Sequence, residues 1–277
     1  MGIKQERPRD TGWEDDFSRA DDAISQHRDL LKSRFPLDTA PVKPRRRIHP
    51  VATILAVAIG AVVWADPSYR NDQLATAVGQ QLKVDLPDGS HIALNTDTRL
   101  DISWHIRSRQ VTLRQGQALF DVAHQAYRPF TVDAGDALVT VLGTMFDVWR
   151  KPDSVKVTVL RGLVRVDQHG ATALLAENQQ ATAGAALSGA ISVDATAQTG
   201  WRDGKLVFER VALREALAEM QRYTNNRIVL VDGKLGGTPL SGVFDIARAD
   251  GMLDLLPAIL PVTVIRDGKG AVQVRAR

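Results

Sequence analysis

One uninterrupted apolar segment divides the chain into two unequal parts. Residues 51–65 read VATILAVAIGAVVWA and carry no charged side chain. As a helix at ~1.5 Å per residue this segment rises roughly 22 Å, and a start at Ile48 brings it to roughly 27 Å. The hydrocarbon core of a bilayer is ~30 Å thick. The segment therefore predicts a single transmembrane helix over residues 48–66.

The charges that flank this segment predict its orientation. Lys43 and residues 45–47 (RRR) precede it, whereas Asp66, Arg70 and Asp72 follow it. Because basic flanks remain on the cytoplasmic side, we expect the N-terminus in the cytoplasm and the larger part beyond the membrane. Three alternatives stay open: a buried core helix, a cleaved signal peptide with an unusually long polar start, and a twin-arginine export signal.

Residues 1–47 predict a short helical segment and a linker. Apolar residues recur there at helical spacing, among them Trp13, Phe17, Ile24, Leu31 and Phe35. One helix alone cannot bury its apolar face, so we expect this face to contact a partner or the membrane surface. The prolines from 36 to 50 end the helix and stiffen the linker.

Composition and motif content exclude several classes of function. The chain has no cysteine, and its 35 Lys and Arg against 32 Asp and Glu give a net charge of +3. Disulfides, thiolate metal sites and a thiol nucleophile are therefore excluded, and there is no general case for nucleic-acid binding. We find no His spacing typical of metal ligands, no phosphate loop and no nucleophile elbow. We accordingly expect a non-enzyme without cofactor, metal, nucleic acid or small-molecule ligand.

The part that follows the apolar segment changes to a period of two. From Leu82 to about Val193, apolar residues alternate with polar ones, and turn signals such as Pro87–Ser90 (PDGS) recur at short intervals. Many short strands of this kind predict a sandwich, barrel or solenoid over residues 80–195. Residues 171–199, which are rich in Ala, Gly, Gln, Ser and Thr, predict weak strands and then a linker.

Residues 201–277 predict a separate small module. A strand at Lys205–Glu209 is followed by a helix at Ala212–Thr224 and strands at Arg227–Val231 and Leu240–Ile246. A second helix and two closing strands complete a β-α-β-β-α-β-β order. The fold class predicted for the whole chain is thus mainly β, with an N-terminal helical segment, one transmembrane helix and a C-terminal α+β module.

Six short motifs stand in a fixed order along the β-rich part. They are LPDGS at 86–90, RQVTL at 109–113 with GQALFDVA at 116–123, RPFTV at 128–132, LGTMFDV at 142–148, VLRGLV at 159–164, and Trp201 with GKLVF at 204–208. In this order they resemble the FecR (iron-dicitrate sensor) family of transmembrane anti-sigma regulators. Locally, their glycines suit turns, and Phe120, Phe130, Phe146 and Phe208 suit a core.

The resemblance implies a periplasmic β domain followed by a module similar to the secretin/TonB short N-terminal domain. It also implies a role in iron or siderophore uptake at the bacterial inner membrane. The implied partners are an extracytoplasmic-function sigma factor and the signalling domain of a TonB-dependent outer-membrane receptor. We place sigma binding on the face of Trp13, Phe17, Ile24, Leu31 and Phe35. Receptor binding is placed on a strand edge that includes Leu206, Val207, Phe208, Val243 and Phe244.

The sequence also departs from the family pattern. Gln117 stands where Glu is usual, Arg161 where an acidic residue is usual and Ala212 where Pro often begins the helix; we expect all three to be surface or cap changes. The cytoplasmic part is short and contains one tryptophan, Trp13. An alternative function is therefore an envelope adaptor that does not control a sigma factor.

Overall fold

The computed structural model describes residues 22–28, 30, 32–34, 50–267 and 271–277, in two compact units, Met1–Leu55 and Ala56–Arg277. In the first unit, residues 22–28, 30 and 32–34 have helical backbone and exposed side chains. Of the predicted sigma-binding face, Ile24 belongs to this helical stretch and is exposed. The other four members of that face, Trp13, Phe17, Leu31 and Phe35, lie outside the described residues.

Helix α1 covers Pro50–Ala65, which is 16 residues. The side chains of Val57, Ile59 and Trp64 on it are exposed. Among the residues that the structure describes, no helix combines the length and the apolar character needed to cross a membrane. Of the predicted span over 48–66, residues 48 and 49 lie outside the described residues.

The end of α1 is tied to the turn between the strands at Arg99–His105 and Arg109–Asp121. Asp66, in the left-handed region at a φ of 43°, accepts hydrogen bonds through its carboxylate from the Arg107 backbone N–H (2.8 Å) and the Ser108 hydroxyl (2.9 Å). Its backbone carbonyl contacts Nδ1 of His105. The chain that leaves the helix is thus held by both main-chain and side-chain contacts.

Thirteen strands follow and form one continuous sheet. Their bounds are β1 Ser68–Ala75, β2 Leu82–Asp85, β3 His91–Leu94, β4 Arg99–His105, β5 Arg109–Asp121, β6 Phe130–Asp133, β7 Leu138–Val141, β8 Met145–Arg150, β9 Val155–Arg161, β10 Val164–Gln168, β11 Ala171–Leu175, β12 Gln179–Ala183 and β13 Ile191–Ser192.

Strand β5 belongs to both layers of a sandwich. Its first half, Arg109–Gln115, pairs with β4 and β6 in the layer β1-β4-β5-β6-β7-β10-β11. Its second half, Gly116–Asp121, pairs with β3 and β8 in the layer β2-β3-β5-β8-β9-β12-β13. The pairing of β5 with β6 is parallel, and the other pairs of the sandwich are antiparallel. The predicted mainly-β class is confirmed.

The two layers enclose a core in which three phenylalanine rings meet. Phe120 lies 5.8 Å from Phe130 and 5.2 Å from Phe146, measured between ring centroids. These separations are typical of favourable aromatic pairs. The prediction that these residues and Phe208 are buried is confirmed.

The section 171–199 is more ordered than predicted. Strands β11, β12 and β13 fall within it, and helix α2 (Ala195–Gln198) follows with Asp194 as its N-cap. Ala181, Ala183 and Ala195 are buried. The linker prediction was wrong because small side chains at alternating positions fit against a neighbouring layer, although they give a weak hydrophobic pattern.

Gly116 marks the point where β5 passes from one layer to the other. Its φ is +87°, which L side chains rarely adopt. A Cβ built there would lie 2.4 Å from the Thr98 hydroxyl oxygen and 2.6 Å from the Asp97 carbonyl oxygen. Both the conformation and the close approach of Thr98 therefore require glycine.

We expect Gly116→Ala to lower the free energy of unfolding by about 3 kcal/mol, because left-handed strain and steric overlap add. Gly170→Ala is the matched control, since Gly170 has a φ of +88° and no heavy atom within 4 Å of the built Cβ. It should cost about 1 kcal/mol. Denaturant unfolding of the two variants measures the difference, and equal losses would contradict the close-approach argument.

A fully buried ion pair fixes the LPDGS turn. The side chains of Arg109 and Asp88 are 0% and 3% exposed and lie 2.6 Å apart. Asp88 also accepts from the Ser90 backbone N–H at 3.0 Å and the Ser90 hydroxyl at 2.8 Å. Arg109 donates to the carbonyls of Arg128 and Ala123. Satisfying both charges in this way makes their burial tolerable.

We expect Asp88→Ala to lower the free energy of unfolding by about 3–5 kcal/mol, because it leaves the Arg109 charge buried without a counter-ion. Asp85→Ala, which removes the exposed partner of His91, serves as control. It should leave the melting temperature unchanged within error, since exposed pairs contribute little. Thermal unfolding followed by circular dichroism compares the two, and a small effect of Asp88→Ala would contradict the role of the pair.

The described residues from 200 to 277 form the module that packs on the sandwich, called here the C-terminal module. It contains β14 Lys205–Ala212, α3 Leu213–Gln221, β15 Arg227–Leu230, β16 Pro239–Asp245, α4 Ala249–Met252, α5 Leu256–Ile259, β17 Val262–Arg266 and β18 Ala271–Ala276. Short 3-10 turns occur at Gly200–Asp203, Gly233–Gly237, Ile246–Arg248 and Leu253–Leu255. β14 pairs with β16, and β18 lies between β15 and β17.

Candidate functional site at the junction of the sandwich and the C-terminal module

The C-terminal module packs its core directly onto one layer of the sandwich. Leu119 of β5 belongs to the apolar cluster of the module. Ala93 of β3, Met145 of β8 and Leu160 of β9 pack against the same cluster. These strands all belong to the layer that contains β2, β3 and β8. The outer face of that layer is therefore an internal interface.

A cleft of about 1310 Å³ runs along this junction. One wall comes from the sandwich and includes Gln117, Trp149 and Lys156. The other wall comes from the C-terminal module and includes Val207 and Arg222. Since both parts line it, the shape of the cleft depends on how the module docks.

A buried hydrogen-bond network, called here the junction network, lies at the base of the cleft. The Asp147 carboxylate accepts from Gln117 Nε2 at 2.9 Å and from Trp201 Nε1 at 3.2 Å. The amide of Asn95 donates to Gln117 Oε1 at 3.0 Å and to the Tyr223 hydroxyl at 2.7 Å. Gln117, Asn95 and Asp147 come from the sandwich, whereas Trp201 and Tyr223 come from the C-terminal module.

Arg222 extends this network toward the cleft. Its Nη1 donates to Gln117 Oε1 at 2.8 Å and to Glu219 Oε1 at 2.6 Å. Its guanidinium carbon lies 4.2 Å from the ring centroid of Trp149. The Thr96 hydroxyl donates to the Arg222 backbone carbonyl at 2.8 Å. Arg222 therefore contacts the sandwich through both its side chain and its backbone.

Burial dominates the ionisation of the network. Burial raises the pKa of Asp147 to about 7, against the opposing effects of the Gln117 hydrogen bond, the Arg222 charge and the Trp201 hydrogen bond. Burial likewise raises the pKa of the Tyr223 phenol. Near neutral pH the charge on Asp147 is thus finely balanced at a point where both parts of the chain meet.

The arrangement is suited to coupling the sandwich to the C-terminal module. Within the described ranges, no group of three His, Asp or Glu side chains is placed to hold a metal ion. Hydrogen bonds are directional, so a buried polar network fixes one orientation more strictly than apolar contact does. The junction network can therefore hold the C-terminal module in one register on the sandwich.

The structure separates the residues predicted for receptor binding. Leu206, Phe208 and Phe244 are buried in the core of the C-terminal module, so their side chains are not available to a partner. Val207 is half-buried and lines the cleft. Val243 is 63% exposed on β16. Burial follows from the pairing of β14 with β16, whose alternate side chains face inward.

The expectation that Gln117 is a surface change was wrong. Gln117 is 3% exposed and contacts Asn95, Asp147 and Arg222. The other two expectations hold. Arg161 is exposed and pairs with Asp121, so it is a surface position. Ala212 is the N-cap of α3 and makes no side-chain hydrogen bond there. Sequence reasoning missed Gln117 because alternation places it on the outward face of β5, and only the docked module buries it.

The fold of this chain is similar to that of solved structures. Two crystal structures of a "putative anti-sigma factor" from Parabacteroides distasonis ATCC 8503 share it. The structure at 2.50 Å resolution is 24% identical in sequence to this chain, with a TM-score of 0.65. The match covers 75% of this chain and 100% of the other. The structure at 1.65 Å resolution is 23% identical in sequence, also with a TM-score of 0.65. That match covers 74% of this chain and 99% of the other. No curated protein matches the chain.

Part of the sandwich matches a known family. Residues 72–165 match the FecR protein family. The resemblance to this family that the motifs indicated is confirmed over these residues, which contain five of the six motifs. The match runs from within β1 to within β10 and so includes Gln117 and Asp147 of the junction network.

We expect the junction to make stability depend on pH. Folded Asp147 binds its proton up to about pH 7, whereas an unfolded Asp releases it near ~4. The stabilisation from protonated Asp147 is therefore full below pH ~4 and is lost as pH rises through about 7. Its size is on the order of a few kcal/mol.

Asp147→Asn removes this titration. The melting temperature of the wild type minus that of the variant should therefore decrease as the pH is raised from 4 to 7. Asp153→Asn, an exposed change on the loop after β8, is the control and should follow wild type. Thermal melts across this pH range provide the measurement. A difference that does not vary with pH would contradict the assignment.

Proposed function

We propose that this protein regulates an extracytoplasmic-function sigma factor in response to a signal received by its FecR domain and C-terminal module. The match of residues 72–165 to the FecR family carries this proposal. The fold shared with the anti-sigma factor structures supports it. The FecR family is regulatory rather than enzymatic, which agrees with the coupling character of the junction.

The proposal includes a position at the bacterial inner membrane. α1 would hold the chain there, with the residues before it in the cytoplasm and those after it in the periplasm. Two observations support this arrangement: the basic run before the helix, and the exposed apolar side chains of Val57, Ile59 and Trp64. The contacts of Asp66 with the turn after β4 would then join the membrane side to the FecR domain.

We further propose that the periplasmic signal comes from a TonB-dependent outer-membrane receptor loaded with an iron chelate. The family resemblance supports this assignment. In the described part of the C-terminal module, β15 and β17 each pair only with β18, so each presents a free edge. A strand from the receptor's signalling domain could add to such an edge through main-chain hydrogen bonds. The predicted receptor-binding residues lie on β14 and β16, which among the described strands pair only with each other and so offer a further edge of this kind.

Sigma-factor binding is tested at Ile24, the member of the predicted face that the structure describes. Ile24 is 62% exposed, so Ile24→Asp should leave the melting temperature unchanged. It should reduce the recovery of the sigma factor at least tenfold, because a charge would be buried against an apolar partner. Gln26→Asp introduces the same charge on an exposed neighbour and should not reduce the recovery of the sigma factor.

The experiment isolates the tagged full-length chain from membranes of its native cell and identifies a co-purified sigma factor by mass spectrometry. Equal recovery of the sigma factor with the wild type and with Ile24→Asp would show that the binding surface does not include Ile24. Recovery of no sigma factor, with an outer-membrane receptor still bound, would favour the envelope adaptor instead.

A further inference from the structure

Trp149 lies in the junction cleft with three cations around its ring. Lys151 Nζ lies 4.0 Å, Lys156 Nζ 5.6 Å and the Arg222 guanidinium carbon 4.2 Å from the ring centroid. Lys156 is the cross-strand neighbour of Trp149, whereas Arg222 reaches it from the C-terminal module. Docking of the module therefore completes this group, called here the cationic cluster.

The charges of the cationic cluster are incompletely balanced. Glu219 pairs with Arg222 at 2.6 Å. Among the described residues, no carboxylate lies within ion-pair distance of Lys151 or Lys156. Glu215 of α3 lines the same cleft but forms no ion pair with either lysine. Burial, and next the nearby Lys156 charge, lower the pKa of Lys151, as expected for a cation that lacks a close partner.

Arg222 also offers an unused hydrogen-bond donor. Its Nη2 is buried and has no hydrogen-bond partner among the described residues. A buried donor without an acceptor is unfavourable, and a ligand oxygen would satisfy it. Guanidinium and ammonium groups that converge in this way are typical of carboxylate or phosphate recognition.

The size and walls of the cleft indicate the kind of anion. At about 1310 Å³ it exceeds the space that a single small oxyanion fills. Val207, Val211 and Ala218 line the wall formed by the C-terminal module and add apolar surface. An extended peptide would place carboxylates at the cationic cluster and apolar side chains along this wall.

We propose that the junction cleft binds an acidic peptide segment of a partner protein, with its carboxylates at Lys151, Lys156 and Arg222. The segment bridges the sandwich and the C-terminal module, because the cationic cluster takes residues from both. Binding therefore stabilises the docked arrangement. This inference does not depend on the sigma factor, so its failure and that of the proposed function are distinguishable.

The test measures binding of a defined probe to the full-length chain by isothermal titration calorimetry. The probe is a decapeptide of alternating Glu and Ala, compared with the decapeptide of alternating Gln and Ala and with inorganic phosphate. We expect the acidic peptide alone to bind measurably, and its affinity to fall as salt increases.

Lys151→Gln with Lys156→Gln should weaken this binding at least tenfold. Lys83→Gln with Lys234→Gln removes the same charge outside the cleft and should leave it unchanged. If the Lys151 and Lys156 double variant unfolds, two measurements on the wild-type chain take its place. One is the salt dependence of peptide binding, and the other is the protection of the Trp149 indole N–H from hydrogen exchange when the peptide is bound.

Three results would overturn the proposal. The acidic peptide could fail to bind, or it could bind both double variants with equal affinity. Phosphate could also bind as tightly as the peptide, which would assign the cationic cluster to small oxyanions instead. A loss of binding in the cluster variant, with an intact melting curve and an unaffected control, supports it.

Discussion

The passage of β5 between two layers at Gly116 is the constraint on which the remaining structure depends. A strand can serve two sheets only if it turns sharply, and the turn here brings Thr98 against a backbone that has no Cβ. The next residue, Gln117, is then fixed by a hydrogen bond of 3.0 Å from its backbone N–H to the Thr98 hydroxyl. Its side chain reaches Asp147 and Arg222 from that position. The same turn thus shapes the sandwich and the junction network.

Much of the fold could be predicted from local pattern, because strand alternation and turn chemistry are local properties. The aromatic core and the strands of the sandwich follow from them. The pairing of Arg109 with Asp88 and of Asn95 with Tyr223 could not be predicted, since 21 and 128 positions separate these partners. Alternation shows which face a side chain takes but not what covers that face, which is why Gln117 was missed.

The junction differs in kind from the two cores that it connects. Each core is held by apolar contact, which tolerates small displacements, whereas the junction network requires particular donors and acceptors to coincide. Asn95 and Asp147 accordingly help to orient the C-terminal module, because each bonds to a residue of that module across the junction. The regulatory role proposed above requires such an element, because only a defined arrangement can be exchanged for another.

The burial of Asp147 also gives the molecule a reporter of its own state. Burial raises the pKa of Asp147, and the carboxylate lies against Trp201 of the docked C-terminal module, 3.2 Å from its Nε1. If the module lifted away, water would reach the carboxyl group and it would titrate as an ordinary aspartic acid. The chemical shift of this one carboxyl carbon, followed against pH, would therefore distinguish the docked from the separated arrangement without any added label on the protein's surface.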